Sequence, residues 1–519
     1  MDSEVGLWLR KRFLKPIETK RAYKVGGQEE EEEQQQQQPL SPAARLFHEP
    51  NFNVYNIAIM GWKTKMCPEV VKGNLVHTLL KHPRFSSLQV TDENGEMKWV
   101  HTRVDLDMHV IVPDVNPNMD SPDQSVEDYI SDLSKTHIDK SQPLWDVHIL
   151  NLKTSNAEST SIFRIHHSLG DGTSLISLLL ACTRQTADPE ALPTIPVKKQ
   201  KKQHKEDNSN TWKLLKWFVG FWWVVKLFWN TFIDVFMFML TALFLKDTDT
   251  PIKEPPGLEF TPRRFVYRIV SLDDMKLIKN AMNMTINDVA LGITQAGLSC
   301  YLNRRYGEQS TEKEEGATSR KVYLPEKIRL RSTLYINIRP SAGIQALADM
   351  MKKNTEAKWG NKIGYVLLPF TIAIRDDPLD YIHEAKATID RKKNSLEAIF
   401  TFYIAELVVK IFGIKWASAL YHRIITHTTM CFTNLAGPLE EIGFYGHPMA
   451  FLPPSCYGEL HSLVVMFQSY INKMTIVLSV DEGTIPDPHR LCDDIVESLK
   501  LVKDAVVERG LVKENQEHK

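Results

Sequence analysis

Midway along this 519-residue chain lies one stretch, residues 212–245, that is apolar enough to enter lipid. Trp212, Trp217, Trp222, Trp223 and Trp229 crowd its first half, and its longest run free of basic residues is 227–245. That run is just long enough to span a bilayer. Asn230 and Asp234 interrupt it, however, and an aspartate at mid-bilayer costs about 2.5–3.5 kcal/mol. A helix lying in the interface is equally compatible, given the tryptophans and the lysines nearby. The segment separates two stretches of similar size that both read as interleaved strand and helix, so an α/β architecture in two halves is expected.

Residues 1–38 read as a disordered tail, because Glu29 to Glu33 and Gln34 to Gln38 cannot bury enough apolar area to offset their ordering. The first half, 39–185, predicts strands over 53–62, 99–112, 145–151 and 161–165 and helices over 70–81, 125–136 and 174–183. A linker over 186–256 carries prolines, then lysines, then the apolar segment. The second half, 257–510, predicts strands over 264–271, 330–338, 364–374, 428–434 and 474–480. Its helices are expected over 272–282, 287–302 and 488–508, with a mobile loop over 306–321. With 63 basic against 64 acidic side chains, nothing points to a nucleic-acid partner. Six scattered cysteines without a CxxC pair predict neither disulfides nor a zinc site, and a reducing compartment. Leu7-Trp8-Leu9 runs straight into Arg10-Lys11-Arg12, which is not a secretory signal.

The chemistry is expected at Phe163-Arg164-Ile165-His166-His167-Ser168-Leu169-Gly170-Asp171-Gly172. A strand ends in paired histidines, turns, and an aspartate–glycine pair opens a helix. In extended geometry neighbours face opposite ways, so only one histidine can lead into a site on a given side. Gly170 and Gly172 are expected to permit the tight turn. An imidazole near pKa 6.5 can take a proton from an alcohol attacking a carbonyl. Spacing alone leaves a structural or metal-related pair open, and leaves Asp171 either orienting the imidazole or bracing the loop through an arginine.

HHxxxDG in this setting resembles the acyltransferase superfamily of chloramphenicol acetyltransferase, plant HxxxDG acyltransferases and peptide-synthetase condensation domains. Further blocks follow in order: Pro39-Leu40-Ser41-Pro42 with Arg45-Leu46-Phe47, His82-Pro83-Arg84-Phe85, Pro143-Leu144-Trp145, Asn287-Asp288, Asn337-Ile338-Arg339-Pro340, and Asn434-Leu435-Ala436-Gly437-Pro438. Together they look like the plant branch of the bifunctional wax ester synthase/diacylglycerol acyltransferases, over about residues 39–510. The resemblance implies a two-domain chloramphenicol-acetyltransferase-like fold with a tunnel between the halves. It also implies an O-acyltransferase moving a fatty acyl group from acyl-CoA to a long-chain fatty alcohol or diacylglycerol. His167 would be the general base, and His166, Asp171, Gly172 and Arg339 would support the loop, with an Asp171–Arg339 salt bridge. No cofactor or metal is implied, acyl-CoA being a substrate. Ala43-Ala44 stand where bacterial members carry an acidic residue, which leaves substrate preference open.

Asn287, Asp288 and Asn434 stay divided between lining the tunnel and local roles, helix capping for the first two and turn formation for the third. Asn283-Met284-Thr285 is a glycosylation sequon by letter. Two rivals remain: an amide-forming condensation enzyme and an inactive lipid-binding homologue. A single span across 212–245 would put His167 and Arg339 on opposite sides of the membrane. The expectation is therefore a peripheral or monotopic protein in contact with membrane lipid on the cytosolic face of the endoplasmic reticulum, with the plasma membrane as second choice.

Overall fold

The computed structural model describes residues 37–50, 52–116, 120–196, 210–253, 262–309, 321–338, 343–353 and 359–512. The expected tail falls outside these but for its last two residues, and Arg339 is outside as well. The chain opens with β1 (Gln37–Pro39), α1 (Pro42–Leu46) and β2 (Tyr55–Trp62). Next come α2 (Pro68–Leu75), the hairpin β3 (Ser87–Thr91) and β4 (Met97–His101), α3 (Leu106–His109), β5 (Val110–Ile111) and α4 (Pro122–Ser134). The His166-His167 motif sits after β6 (Trp145–Leu150) at the end of β7 (Ser159–His166), and before α5 (Gly172–Ala181) and β8 (Arg184–Gln185). Every residue of β6 and β7 is buried, the mark of strands covered on both faces.

The apolar segment forms one helix, α6 (Asn210–Leu243). The second half follows with β9 (Arg263–Ser271), α7 (Leu272–Ala281), α8 (Ile286–Gln309), β10 (Leu330–Asn337), α9 (Gly343–Lys353) and β11 (Ile363–Phe370). Three helices come next: α10 (Pro378–Lys393), α11 (Glu397–Phe412) and α12 (Ile414–Thr426). The chain closes with β12 (Met430–Leu435), β13 (Ile442–Phe444), β14 (His447–Phe451), β15 (Pro454–Tyr457), β16 (Leu463–Tyr470), β17 (Lys473–Asp481) and α13 (Pro488–Glu508).

Several expectations need correction. The helix over 70–81 stops at Leu75, because Thr78 leaves helical geometry (φ −124°, ψ −87°) before a 3-10 turn. The strands expected over 99–112 are separated by α3, which Asp105 caps through the Asp107 amide. Residues 306–309, expected in a loop, continue α8.

Two mixed sheets form the body. The larger runs β5-β6-β7-β2-β14-β13-β8, with β15 also on β2, and the other runs β11-β10-β12-β16-β17-β9. The halves are thus not contiguous in sequence, since β13, β14 and β15 from the second stretch complete the first sheet. A third cluster sits at the seam, where Phe47, Phe52 and Val54 meet Tyr421, Ile425, Cys431 and Val464.

The polar residues of α6 face the second half. Asn230 donates to the Asn394 carbonyl at 3.0 Å. Buried Asp234 pairs with Arg391 at 2.8 Å and Lys392 at 2.9 Å, and Lys392 also reaches Glu397 at 2.6 Å. At its end, Phe238 and Ala242 pack on Tyr365, Leu367 and Ile424.

Candidate active site

The strand that carries the motif ends at His166. His167 opens a 3-10 turn, His167–Leu169, so the expected alternation of faces stops one residue short of it. What separates the two histidines is their bonding. His166 is fully buried, with Nε2 3.1 Å from the Phe47 carbonyl and 3.0 Å from Asn53 Oδ1, and Nδ1 2.7 Å from Ser168 Oγ. A carbonyl can only accept, so the proton sits on Nε2 and the Ser168 hydroxyl donates to Nδ1. Burial, with His48 and His167 close by, holds its pKa well below the usual value. Saturated and neutral, His166 is a strut.

His167 is different. Its amide donates to the Val54 carbonyl at 2.9 Å, which ties the turn to the residue before β2. Its ring stacks on Phe47, with centroids 4.1 Å apart and planes at 20°. Phe47 in turn stacks on Phe52 at 4.9 Å. Nδ1 is buried without a partner of full hydrogen-bond geometry, although the residue's own carbonyl favours a proton on the ring. A proton on Nδ1 leaves the Nε2 lone pair free. Burial lowers the pKa to about 4, so the ring is uncharged at neutral pH.

Three donors from the second half brace this turn. Asn361 Nδ2 reaches the His167 carbonyl at 3.1 Å, Trp359 Nε1 reaches the Leu169 carbonyl at 2.6 Å, and Asn337 Nδ2 reaches Asp171 Oδ1 at 3.3 Å. Asp171 is buried and caps α5 by accepting from the Ser174 amide at 2.8 Å. It therefore orients the turn and does not reach for the imidazole. The expected partner Arg339 lies outside the described residues, two positions beyond Asn337.

The glycines act otherwise than expected. Gly170 is extended (φ 174°), a conformation open to any residue, but a Cβ there would lie 2.8 Å from Trp359 Cζ2. Gly172 starts α5, and a Cβ there would meet nothing within 4 Å.

Asp288 is fully buried and forms a reciprocal helix cap: its Oδ2 accepts from the Thr285 amide at 2.7 Å, and its own amide donates to Thr285 Oγ1 at 3.3 Å. Asn434 Nδ2 donates to Asn287 Oδ1 at 2.6 Å. On β12, Asn434 shares a face with Met430 and Phe432, which belong to the second half's own core, while Cys431 on the other face joins the seam cluster. Sequence reasoning overlooked Phe47's stacking, Trp359 and Asn361. Only Phe47 left a trace, inside the Arg45-Leu46-Phe47 block.

A cavity of about 430 Å³ is lined by Arg45, His48, Lys140, Leu144, Ile414 and Lys415, among others. The His48 ring lies 4.9 Å from that of His166. Among the described residues, no group of three or more His, Cys, Asp or Glu is placed to hold a metal.

Residues 71–290 match the wax ester synthase/diacylglycerol acyltransferase catalytic domain, and residues 359–503 match the WS/DGAT C-terminal domain. The chain belongs to the wax ester synthase/diacylglycerol acyltransferase family. Among similar proteins, wax ester synthase/diacylglycerol acyltransferase 11 of Arabidopsis thaliana is 52% identical, over 91% of this chain and 96% of that one. Number 4 of the same plant is 49% identical over 91% of each. The solved wax ester synthase/diacylglycerol acyltransferase from Marinobacter aquaeolei VT8 superposes with TM-score 0.57 at 15% identity, covering 91% of this chain and 100% of that chain. The first condensation domain of the calcium-dependent antibiotic synthetase gives 0.53 at 10% identity, covering 88% and 91%. These two likenesses establish the two-domain chloramphenicol-acetyltransferase-like fold.

Proposed function

We propose that this member of the wax ester synthase/diacylglycerol acyltransferase family transfers a fatty acyl group from acyl-CoA to the hydroxyl of a long-chain alcohol or diacylglycerol, with His167 as general base. The observation that carries the role is the contrast within the pair: every nitrogen of His166 is engaged, while His167 has an unshared Nε2 on a ring clamped by Phe47. As the acceptor oxygen attacks the thioester carbonyl, Nε2 takes the hydroxyl proton. The tetrahedral intermediate collapses, the C–S bond breaks, and the same proton passes to the departing CoA thiolate. An imidazole shifted to about pKa 4 is a weak base at rest. The oxyanion forming beside it offsets the cost of the imidazolium in a site poor in water. Asn361 and Trp359, by holding the turn's carbonyls, keep the ring within reach.

Purified protein incubated with labelled palmitoyl-CoA and separate pools of long-chain alcohol, diacylglycerol and long-chain amine tests this. Ester in either hydroxyl pool is expected. Amide as the main product would favour the condensation reading, and binding without turnover would favour an inactive lipid-binding protein.

The cytosolic face of the endoplasmic reticulum suits the reading, because acyl-CoA is a charged cytosolic substrate. Helix α6 contains Phe218–Leu243, long and apolar enough to cross a membrane, yet Asn230 and Asp234 are engaged with the second half. An interfacial placement keeps those bonds. Protease protection on sealed microsomes decides it: tags at both ends should be digested without detergent, and one protected end would establish a single span.

A further inference from the structure

Helix α6 is not the only element with an unsatisfied apolar face. On α11, Ile399, Tyr403, Leu407 and Ile411 are exposed and recur every fourth residue, one stripe of a helix. Leu396 precedes the stripe, and Phe412 and Trp416 continue it across the α11–α12 junction, all exposed. The opposite side of α11 is seated on the second half, with Glu397, Thr401 and Phe402 buried and Thr401 bonded to Tyr365. The outer stripe therefore stays exposed among the described residues, although Tyr403 packs on Phe402 and Phe412 on Trp416. On α6 the matching stripe is Phe228, Phe232, Phe236, Met239 and Leu243, again exposed.

The two stripes are locked side by side. Asp234 of α6 pairs with Lys392, which also pairs with Glu397, the first residue of α11. Thr231 Oγ1 accepts from the Leu396 amide at 3.0 Å. Arg423 of α12 donates to the Ala242 carbonyl at the end of α6 at 2.7 Å.

We infer that α6, α11 and the start of α12 form one membrane-docking surface that enters a single leaflet carrying anionic lipid, and that the α11 stripe is a second anchor. This deepens the reading above by naming how the lipid acceptor is reached. Charge decides for a lipid occupant. Among the described side chains, the exposed ionised ones on these helices are Lys226, Lys410, Lys415 and Arg423 against Glu406, since Asp234 and Glu397 are buried. An excess of cations around an aromatic-rich apolar face matches a layer of anionic headgroups above acyl chains. Trp222, Trp223, Trp229 and Trp416 supply the amphipathic rings that settle at that boundary. The surface also reaches toward the motif: Ile414 and Lys415, between Phe412 and Trp416, line the same cavity as His48, whose ring lies 4.9 Å from that of His166.

Flotation of the full chain with phosphatidylcholine vesicles, with and without phosphatidylserine, tests the surface without needing turnover, so its failure is distinct from failure of the acyl-transfer reading. The variants are Leu407→Glu with Ile411→Glu on α11, Phe232→Glu with Phe236→Glu on α6, and Leu439→Glu, exposed elsewhere, as control. Each paired variant is expected to lower the vesicle-bound fraction roughly tenfold with an unchanged thermal melt. Phosphatidylserine should raise wild-type binding and salt should reduce it. Esterification of a water-soluble short alcohol should persist in the α11 variant, while that of vesicle-held diacylglycerol falls. Wild-type flotation by the α11 variant would overturn the second anchor. A wild-type dimer that the α11 changes dissolve, without vesicle binding, would give the surface to a second copy instead.

Discussion

His166 keeps its proton on Nε2 because the Phe47 carbonyl needs a donor there. Through that bond the first histidine positions the Phe47 ring on which the second is stacked. His166→Ala leaves the Phe47 carbonyl, Asn53 and Ser168 short of a buried partner, at about 1–3 kcal/mol for each group left unsatisfied. The expected result is a clear loss in urea stability with a partial loss of rate. His167→Ala should instead remove about 10²–10⁴ of rate with a modest change in stability. Equal rate losses at equal stability would contradict the division of roles. The motif itself was legible, since a strand ending in His-His before Asp-Gly is a local pattern. Its braces were not. Asn337, Trp359 and Asn361 lie 166 to 194 residues from the groups they hold, and a single asparagine or tryptophan has no periodicity to betray it.

Among elements, the His167–Leu169 turn and α5 make the sharpest case. Gly170→Ala pushes a methyl into the Trp359 indole, so the bond to the Leu169 carbonyl must shift and the turn with it. A stability loss of about 1–3 kcal/mol is expected from such overpacking, with reduced activity. Gly172→Ala, at a helical position in open space, should stabilise by about 0.4–1 kcal/mol through the unfolded chain. Thermal melts of the two proteins read this directly, and similar losses in both would mean that Gly172 is also sterically required. A long periodic segment such as α13 was legible because its apolar face repeats cleanly. Helices α10 to α12 were not. On α11, apolar residues face outward as well as inward, from Ile399 to Phe402, which erases the single-sided pattern that marks a helix.

For the whole molecule, the buried histidines set the response to acid. Burial lowers His48 and His167 to about 4, His82 and His461 to about 3, and His166 well below its usual value. Above pH 6.5 they are neutral whether the chain is folded or not. Below it the unfolded chain takes up protons that the folded one refuses, so stability drains as pH falls toward 4. Glu127, Glu397 and Glu459, raised to about 7 by burial, oppose this, because they stay protonated in the fold while ionised in the unfolded chain. Near pH 5.5 the balance is roughly two protons in favour of the unfolded state. Urea midpoints should therefore fall between pH 6.5 and 4.5, and a flat profile would show that those histidines are not buried neutral. The two-half plan was legible from the mid-chain apolar segment, but the crossing of β13, β14 and β15 into the first sheet was not, since register between distant strands leaves no local trace. That crossing matters while the chain is being made. One side of β2 waits for partners at residues 449–457, which leave the ribosome roughly 20–80 s later at ~5–20 residues per second. Throughout that interval the nascent first half shows a bare strand edge next to the His166 end of β7. Its yield in a cell is thus tied to whatever shields that edge until synthesis is finished.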